Sequence, residues 1–238
     1  MPADLRTHAI VLRRTNFGES DRILNLLTPE GKVAVIARGV RKERSKLAGG
    51  IELFSVADVV VRYGRGAQSR GTALGSQSET RPPLGTLTSA KMLKFYNNIL
   101  TDLATLELAS HLLKKLDRAA EQTDNPAHFD LLSQSLAGLD RGDSPDLISA
   151  WFTFNLARAS GEEINLLCDV AGQPLSSEAI YLWDPHESAL RPDPAGNIRA
   201  PEIKLARFLL ANPLRLAKNI ENVAAILPPL LPIIKTFE

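Results

Sequence analysis

Arg22-Ile23-Leu24-Asn25-Leu26-Leu27-Thr28-Pro29-Glu30-Gly31-Lys32-Val33-Ala34-Val35-Ile36-Ala37 decides the fold of the first third of the chain. Two apolar runs flank a four-residue turn with proline second and glycine fourth, the pattern of a type I turn between hairpin strands. Upstream, Thr7 to Arg14 is β-rich around Ile10, Val11 and Leu12, and a glycine turn, Phe17-Gly18-Glu19-Ser20-Asp21-Arg22, joins it to the hairpin. Downstream, a longer strand places Leu53, Ser55, Ala57, Val59, Val61 and Tyr63 on one face. Gly64 and Gly66 interrupt that strand, and Gly71 to Glu79 can return as a fifth. Five short strands in about 75 residues suit a small closed barrel of the OB type.

The pattern changes at Arg81-Pro82-Pro83-Leu84-Gly85, so residues 1–81 are read as one domain and 82–238 as a second, mainly helical one. From Ser89 to Ala119 apolar residues recur at helical spacing, among them Leu93, Tyr96, Leu100, Leu103, Leu106, Ala109, Leu113 and Leu116. Asn125-Pro126 and Ser144-Pro145 read as helix starts with proline at N1. They predict helices over Ala127–Leu139 and from Pro145 to about Ala159, the latter ended by Gly161. Residues 165–200 are rich in Asp, Pro, Ser and Gly, with a short hairpin predicted from Ala179–Trp183 and Ser188–Arg191. Helical pattern returns over Glu202–Leu210 and Pro213–Leu227, and Pro228, Pro229 and Pro232 stop any long C-terminal helix. The expected class is α+β.

Between the hairpin and the long strand lies Arg38-Gly39-Val40-Arg41-Lys42-Glu43-Arg44-Ser45-Lys46, with five cations among nine residues. The net charge of +1 hides an asymmetry: residues 1–81 hold 14 basic and 8 acidic side chains, the remainder 14 and 19. A basic barrel ahead of an acidic half points to two functional units, one with a polyanionic partner. The plainer reading is a solvated basic face. Phe17, Phe54 and Tyr63 are the only aromatics in residues 1–81 and are expected in the core. With no exposed ring to stack a base, worth about 1–3 kcal/mol each, binding would be electrostatic and salt-sensitive. Arg13 and Arg14 are neighbours in a strand and so point to opposite faces.

No catalytic constellation emerges. His8, His111, His128 and His186 lie in unrelated segments without metal-ligand spacing and are expected at the surface or in caps. Cys168 is the single cysteine, which leaves no internal disulfide and reads as a small buried hydrophobe. Gly64-Arg65-Gly66 and Gly71 lack the surroundings of a phosphate-cradling loop, and Glu162 and Glu163 lack an acid–base partner. No run of about 18 apolar residues and no secretory leader is present, so a cytoplasmic, non-enzymatic protein without cofactor is expected.

The order of these pieces resembles the RecO family of bacterial recombination mediators. Gly18-Glu19-Ser20-Asp21-Arg22, Leu27-Thr28, Gly31-Lys32, Gly39-Val40-Arg41-Lys42, Ser45 and Leu53-Phe54 follow that family's N-terminal signature. Phe129-Asp130-Leu131-Leu132 with Leu136 is similar to its middle helix, and Gly161 to Leu166 leads into Cys168 as in its zinc module. The resemblance implies an OB barrel that binds single- and double-stranded DNA and anneals complementary strands. It also implies work with RecR and single-stranded DNA-binding protein to load RecA, at the nucleoid. It makes Arg38, Arg41, Lys42, Arg44 and Lys46 the expected phosphate contacts, with Glu19, Asp21 and Arg22 fixing the turn. Many members hold a structural zinc with two CxxC pairs. Here Ala171 stands three residues after Cys168, and Leu190 to Pro194 carries no cysteine, so no zinc is expected.

Two other readings remain open at this point. One is an interaction adaptor whose acidic helical half docks partners. The other is a basic OB module for structured RNA.

Overall fold

The computed structural model describes residues 4–64, 84–162, 164–217 and 219–237. The chain divides into two compact units that interleave in sequence: Met1–Thr101 with Ala109–Ser133, and Asp102–Leu108 with Gln134–Glu238.

The first unit is built on a closed five-stranded barrel of order β1-β2-β3-β5-β4. Its strands are β1 (Asp4–Phe17), β2 (Asp21–Thr28), β3 (Gly31–Ala37), β4 (Ser55–Arg62) and β5 (Gly85–Phe95). β1 pairs with β4 up to Ile10 and with β2 from Ile10 onward, and its register shifts between Val11 and Arg13. A bulge there bends one long strand around the barrel, so that it serves two neighbours. The predicted hairpin forms with Thr28 opposite Gly31, and the Thr28 hydroxyl donates to the Gly31 carbonyl at 2.9 Å. In β4 the buried residues are Ser55, Ala57, Val59 and Val61, the alternation read from the sequence. Ala57, Val59 and Val61 join Ala9, Val11, Leu24, Leu26, Val35, Ala37 and Leu87 in a single core.

The barrel closes later in the chain than expected. The segment Gly71–Glu79 lies outside the described residues, and the fifth strand is Gly85–Phe95, antiparallel to β4 and parallel to β3. Residues 89–95, expected to open a helix, are therefore strand, and the barrel runs past the boundary expected at residue 81. Their Ala, Lys, Met and Leu favour a helix in isolation, but the antiparallel ladder to β4 outweighs that preference. Tyr96 is buried, and its N–H donates to the Phe54 carbonyl at 3.0 Å. The helix begins only at Leu103: α1 (Leu103–Gln122) buries Ala109, Leu113 and Leu116 as predicted, whereas Leu93, Leu100 and Leu103 are exposed. The C-terminal part of α1 belongs to the barrel unit, as do the first residues of α2 (Ala127–Asp140).

In the second unit α3 (Pro145–Ala159) is the central element, with nine buried residues including Trp151, Phe152 and Phe154. Its capping follows the sequence reading: Leu147 N–H donates to the Ser144 hydroxyl at 3.4 Å, and Gly161 ends the helix at φ +82°. Asn155 donates its amide to the carbonyls of Trp151 and Leu209, tying α3 to α4 (Ala200–Ala211). The helix expected over Pro213–Leu227 is broken into α5 (Leu214–Ala217) and α6 (Val223–Ile226), with a left-handed Asn222 at the start of α6. A short α7 (Leu231–Thr236) follows Pro228 and Pro229 and carries Pro232 in its first turn.

The predicted hairpin is present as β7 (Tyr181–Asp184) and β8 (Ala189–Pro192), antiparallel to each other. A third strand not read from the sequence, β6 (Asn165–Asp169), runs parallel to β8.

Candidate nucleic-acid interface

The connection between β3 and β4, residues 38–54, carries the basic segment. It is anchored rather than free. Val40 and Ile51 are buried in the barrel core, and Leu47, Ala48 and Leu53 pack against it. A single helical turn at Ala48–Gly50 rests on β5, and a Cβ on Gly50 would collide with the Ala90 backbone carbonyl. Successive hydrogen bonds, Lys42 N–H to the Gly39 carbonyl and Ser45 N–H to the Lys42 carbonyl, keep the segment compact. Arg38, Arg41, Lys42, Arg44 and Lys46 are exposed between these anchors, with Glu43 also exposed among them.

The glycine turn is stitched to the start of this segment. The Asp21 carboxylate accepts from Gly39 N–H at 2.7 Å, and Arg41 N–H donates to the Ser20 carbonyl at 2.9 Å. The Arg41 guanidinium also donates to the Gly18 carbonyl at 3.3 Å, and Arg22 to the Asn16 side chain at 3.2 Å. Gly18 and Gly39 sit at φ +59° and +63°, a conformation glycine adopts without the Cβ penalty of other residues. The two motifs, about twenty positions apart in the chain, thus form one hydrogen-bonded unit at the barrel rim.

Four cations of the barrel strands are committed to carboxylates. Arg13 pairs with Asp117 at 3.3 Å, Arg14 with Glu52 at 2.8 Å, Lys32 with Asp117 at 2.5 Å and Arg62 with Asp4 at 3.1 Å. The bond from Arg62 holds the exposed Asp4 carboxyl below the ordinary carboxylate range. Arg13 and Arg14 do diverge to opposite faces, and both are committed to protein partners. By contrast, none of Arg38, Arg41, Lys42, Arg44 and Lys46 forms an ion pair among the described residues. The four bracing cations are neutralised locally; other exposed cations such as Arg6, Lys91 and Arg118 are scattered, whereas the connection gathers five within nine residues.

Three sequence expectations are corrected here. Phe17 is not core: its side chain is 52% exposed at the end of β1, whereas Phe54 is buried and Tyr63 packs on the core. His128 is not a surface residue but is buried, with Nε2 lacking a hydrogen-bond partner. Cys168 is partly exposed rather than buried. The apolar anchors Val40, Leu47 and Ile51 were also missed, although their interleaving with the cations is visible in the sequence.

Zinc does not fit the second unit. One thiolate cannot supply a tetrahedral site, and among the described residues no group of three His, Cys, Asp or Glu side chains is placed to hold a metal ion. Carboxylates close the two turns instead. Asp169, 8% exposed, accepts from the N–H groups of Ala171 and Gln173, each at 2.9 Å. Asp193 accepts from Ala195 N–H at 2.9 Å. The hairpin between them is secured by Trp183, whose indole N–H donates to Thr236 at 2.9 Å, and by Tyr181, whose hydroxyl accepts from Ser176 N–H at 2.8 Å.

Comparison with known proteins now decides the family. Residues 1–74 match the model for the recombination protein O N terminus, and residues 100–237 that for its C terminus. The chain belongs to the RecO family. A DNA repair protein RecO of Roseiflexus sp. (strain RS-1) is 32% identical over 90% of this chain and 73% of its own length. One from Dehalococcoides mccartyi (strain ATCC BAA-2266 / KCTC 15142 / 195) is 30% identical over 89% of the chain and 80% of its length. A third, from Dehalococcoides mccartyi (strain CBDB1), is 37% identical over 67% of the chain, which spans only 57% of that relative. The barrel order β1-β2-β3-β5-β4 is that of an OB fold, in keeping with the RecO N-terminal match. No helix among the described residues is long and apolar enough to cross a membrane.

Proposed function

We propose that this chain is a DNA repair protein that binds single- and double-stranded DNA through Arg38, Arg41, Lys42, Arg44 and Lys46. It anneals complementary strands, and it acts with RecR and single-stranded DNA-binding protein to load RecA. The observation that carries the DNA-binding part is the cluster of five exposed cations within residues 38–46, none of them in an ion pair among the described residues. The five side chains stand on a connection already fixed by core anchors, so its backbone needs little ordering for their contact with phosphates. The name shared by the relatives supports a repair role, and family membership supports the partners.

The role needs no reaction at the protein. Basic side chains that bridge two strands lower the repulsion between phosphates, and counterion release makes the affinity fall steeply with salt.

A salt titration on a single-stranded oligonucleotide tests the residue assignment. Five phosphate contacts give a slope of log affinity on log salt near −3.5, taking about −0.7 per contact. Replacing Arg41, Lys42 and Arg44 by alanine brings it to about −1.4. An unchanged slope in the triple variant rejects the assignment. Strand annealing of complementary oligonucleotides, with and without single-stranded DNA-binding protein, tests the wider role.

A further inference from the structure

We infer that Phe17 is a base-stacking contact that gives the basic rim a preference for unpaired DNA. The inference rests on the proposed DNA binding and adds to it a contact that reads bases rather than phosphates.

Phe17 is the last residue of β1, paired across the strand with Asp21. A single exposed aromatic is unremarkable on a protein surface. This one is distinguished by where it is held. The residue after it, Gly18, offers its carbonyl to the Arg41 guanidinium, and its cross-strand partner Asp21 grips Gly39. Phe17 is thus built into the same hydrogen-bonded unit that displays the cations. The residue is 52% exposed, while the other two aromatics of that part of the chain face the core. The neighbours Thr15, Asn16, Gly18 and Glu19 are exposed too, so no side chain of the strand end covers it.

The chemistry follows from that placement. Every unpaired base offers a π face, so a ring on a rigid strand end accepts any of them without sequence choice. A base resting on Phe17 leaves its own phosphate beside the strand end, toward Arg41. Bases inside a duplex are already stacked and present only their edges, so they gain nothing from the ring. Two acidic side chains lie in the turn: Asp21 is occupied by Gly39 N–H, and the exposed Glu19 works against phosphate.

The test compares three probes on the full chain: an oligothymidylate of about 15 nucleotides, an abasic strand of equal length, and a duplex of equal length. Phe17→Ala is expected to weaken oligothymidylate binding about tenfold, within the range of one lost stack, and the other two less than twofold. Phe17→Leu keeps an apolar side chain without a π face and should behave like the alanine variant, and Phe17→Tyr should restore binding. Unchanged oligothymidylate affinity, or an equal loss on the abasic strand, overturns the inference. The Arg41, Lys42 and Arg44 triple variant should lose affinity for all three probes. If that variant binds normally while Phe17→Ala is selective, the phosphate assignment fails and the stacking contact stands.

Discussion

The carboxylate of Asp21 accepts the backbone N–H of Gly39 at 2.7 Å, joining the turn after β1 to the first residues of the basic connection. An acidic residue is thereby the clamp for a positively charged surface. Asp21→Ala raises the net charge by one, so long-range electrostatics alone predicts tighter DNA binding. The geometry predicts the reverse. Without the clamp Gly39 N–H loses its acceptor, a charge-assisted bond of about 1.5–3 kcal/mol, and Arg38 and Arg41 lose their fixed positions. Affinity for DNA should fall several-fold in a binding titration, and Asp21→Asn, which retains an amide oxygen, should recover most of it. Tighter binding by the alanine variant would show that charge, not placement, governs this surface.

The sequence was legible where local chemistry and tertiary role agree. Pro29 and Gly31 marked the hairpin, the alternation from Ser55 to Val61 marked β4, and Ser144-Pro145 marked the start of α3. It misled where a long-range partner decides the outcome. Ser89–Phe95 has helix-favouring residues, and only the edge of β4 makes it a strand. Phe17 reads as core by hydrophobicity, and its exposure follows from standing on the last rung of the β1–β2 ladder, at the barrel rim. The five cations were legible as a group. That they are unpaired was not, because the acids that neutralise Arg13 and Lys32 lie on a helix some ninety residues away.

That helix contact makes a second prediction. Asp117 on α1 receives Lys32 at 2.5 Å, Arg13 at 3.3 Å and the Asn25 amide at 3.1 Å, and the Lys32 and Asp117 side chains are 11% and 13% exposed. Lys32 also donates to the Asp117 backbone carbonyl at 2.7 Å, and Glu121 lies 2.9 Å from it. Asp117→Ala removes the carboxylate shared by Lys32, Arg13 and Asn25, leaving Lys32 only the backbone carbonyl and Glu121. The expected loss is about 2–3 kcal/mol, between the small value of an exposed pair and the larger one of a buried pair. Urea unfolding measures it. Glu121→Ala, which removes a solvent-exposed partner, should cost well under 1 kcal/mol.

A third concerns the turn closed by Asp169. Its Oδ1 holds two backbone N–H groups in a site 8% exposed, so removing it leaves both without an acceptor. Asp169→Ala should destabilise the second unit by about 2–4 kcal/mol. Asp169→Asn should be milder, because one oxygen remains to accept. The donor set has no place for zinc, so a strong chelator should leave the unfolding transition of the unaltered chain in place. A chelator-induced loss of stability comparable with that of Asp169→Ala would reveal a metal role that these residues do not account for.

The last follows from His128, which is buried in the first turn of α2 with Nε2 unpartnered. Burial lowers its pKa by disfavouring the charged imidazolium, and the nearby Asp124 carboxylate offsets this only in part. The unfolded chain therefore binds a proton at a higher pH than the folded one does. Below the ordinary imidazole value of about 6.5, unfolding takes up a proton and stability falls as pH falls. The slope is at most about 1.4 kcal/mol per pH unit for one group, and it levels off once pH drops below the folded value. His128→Leu fills the site without a titrating group, and its stability should change less between pH 7.5 and pH 5.5 than that of the unaltered chain. Thermal melts at the two pH values give the comparison, and identical pH dependence in both proteins would assign the acid sensitivity elsewhere.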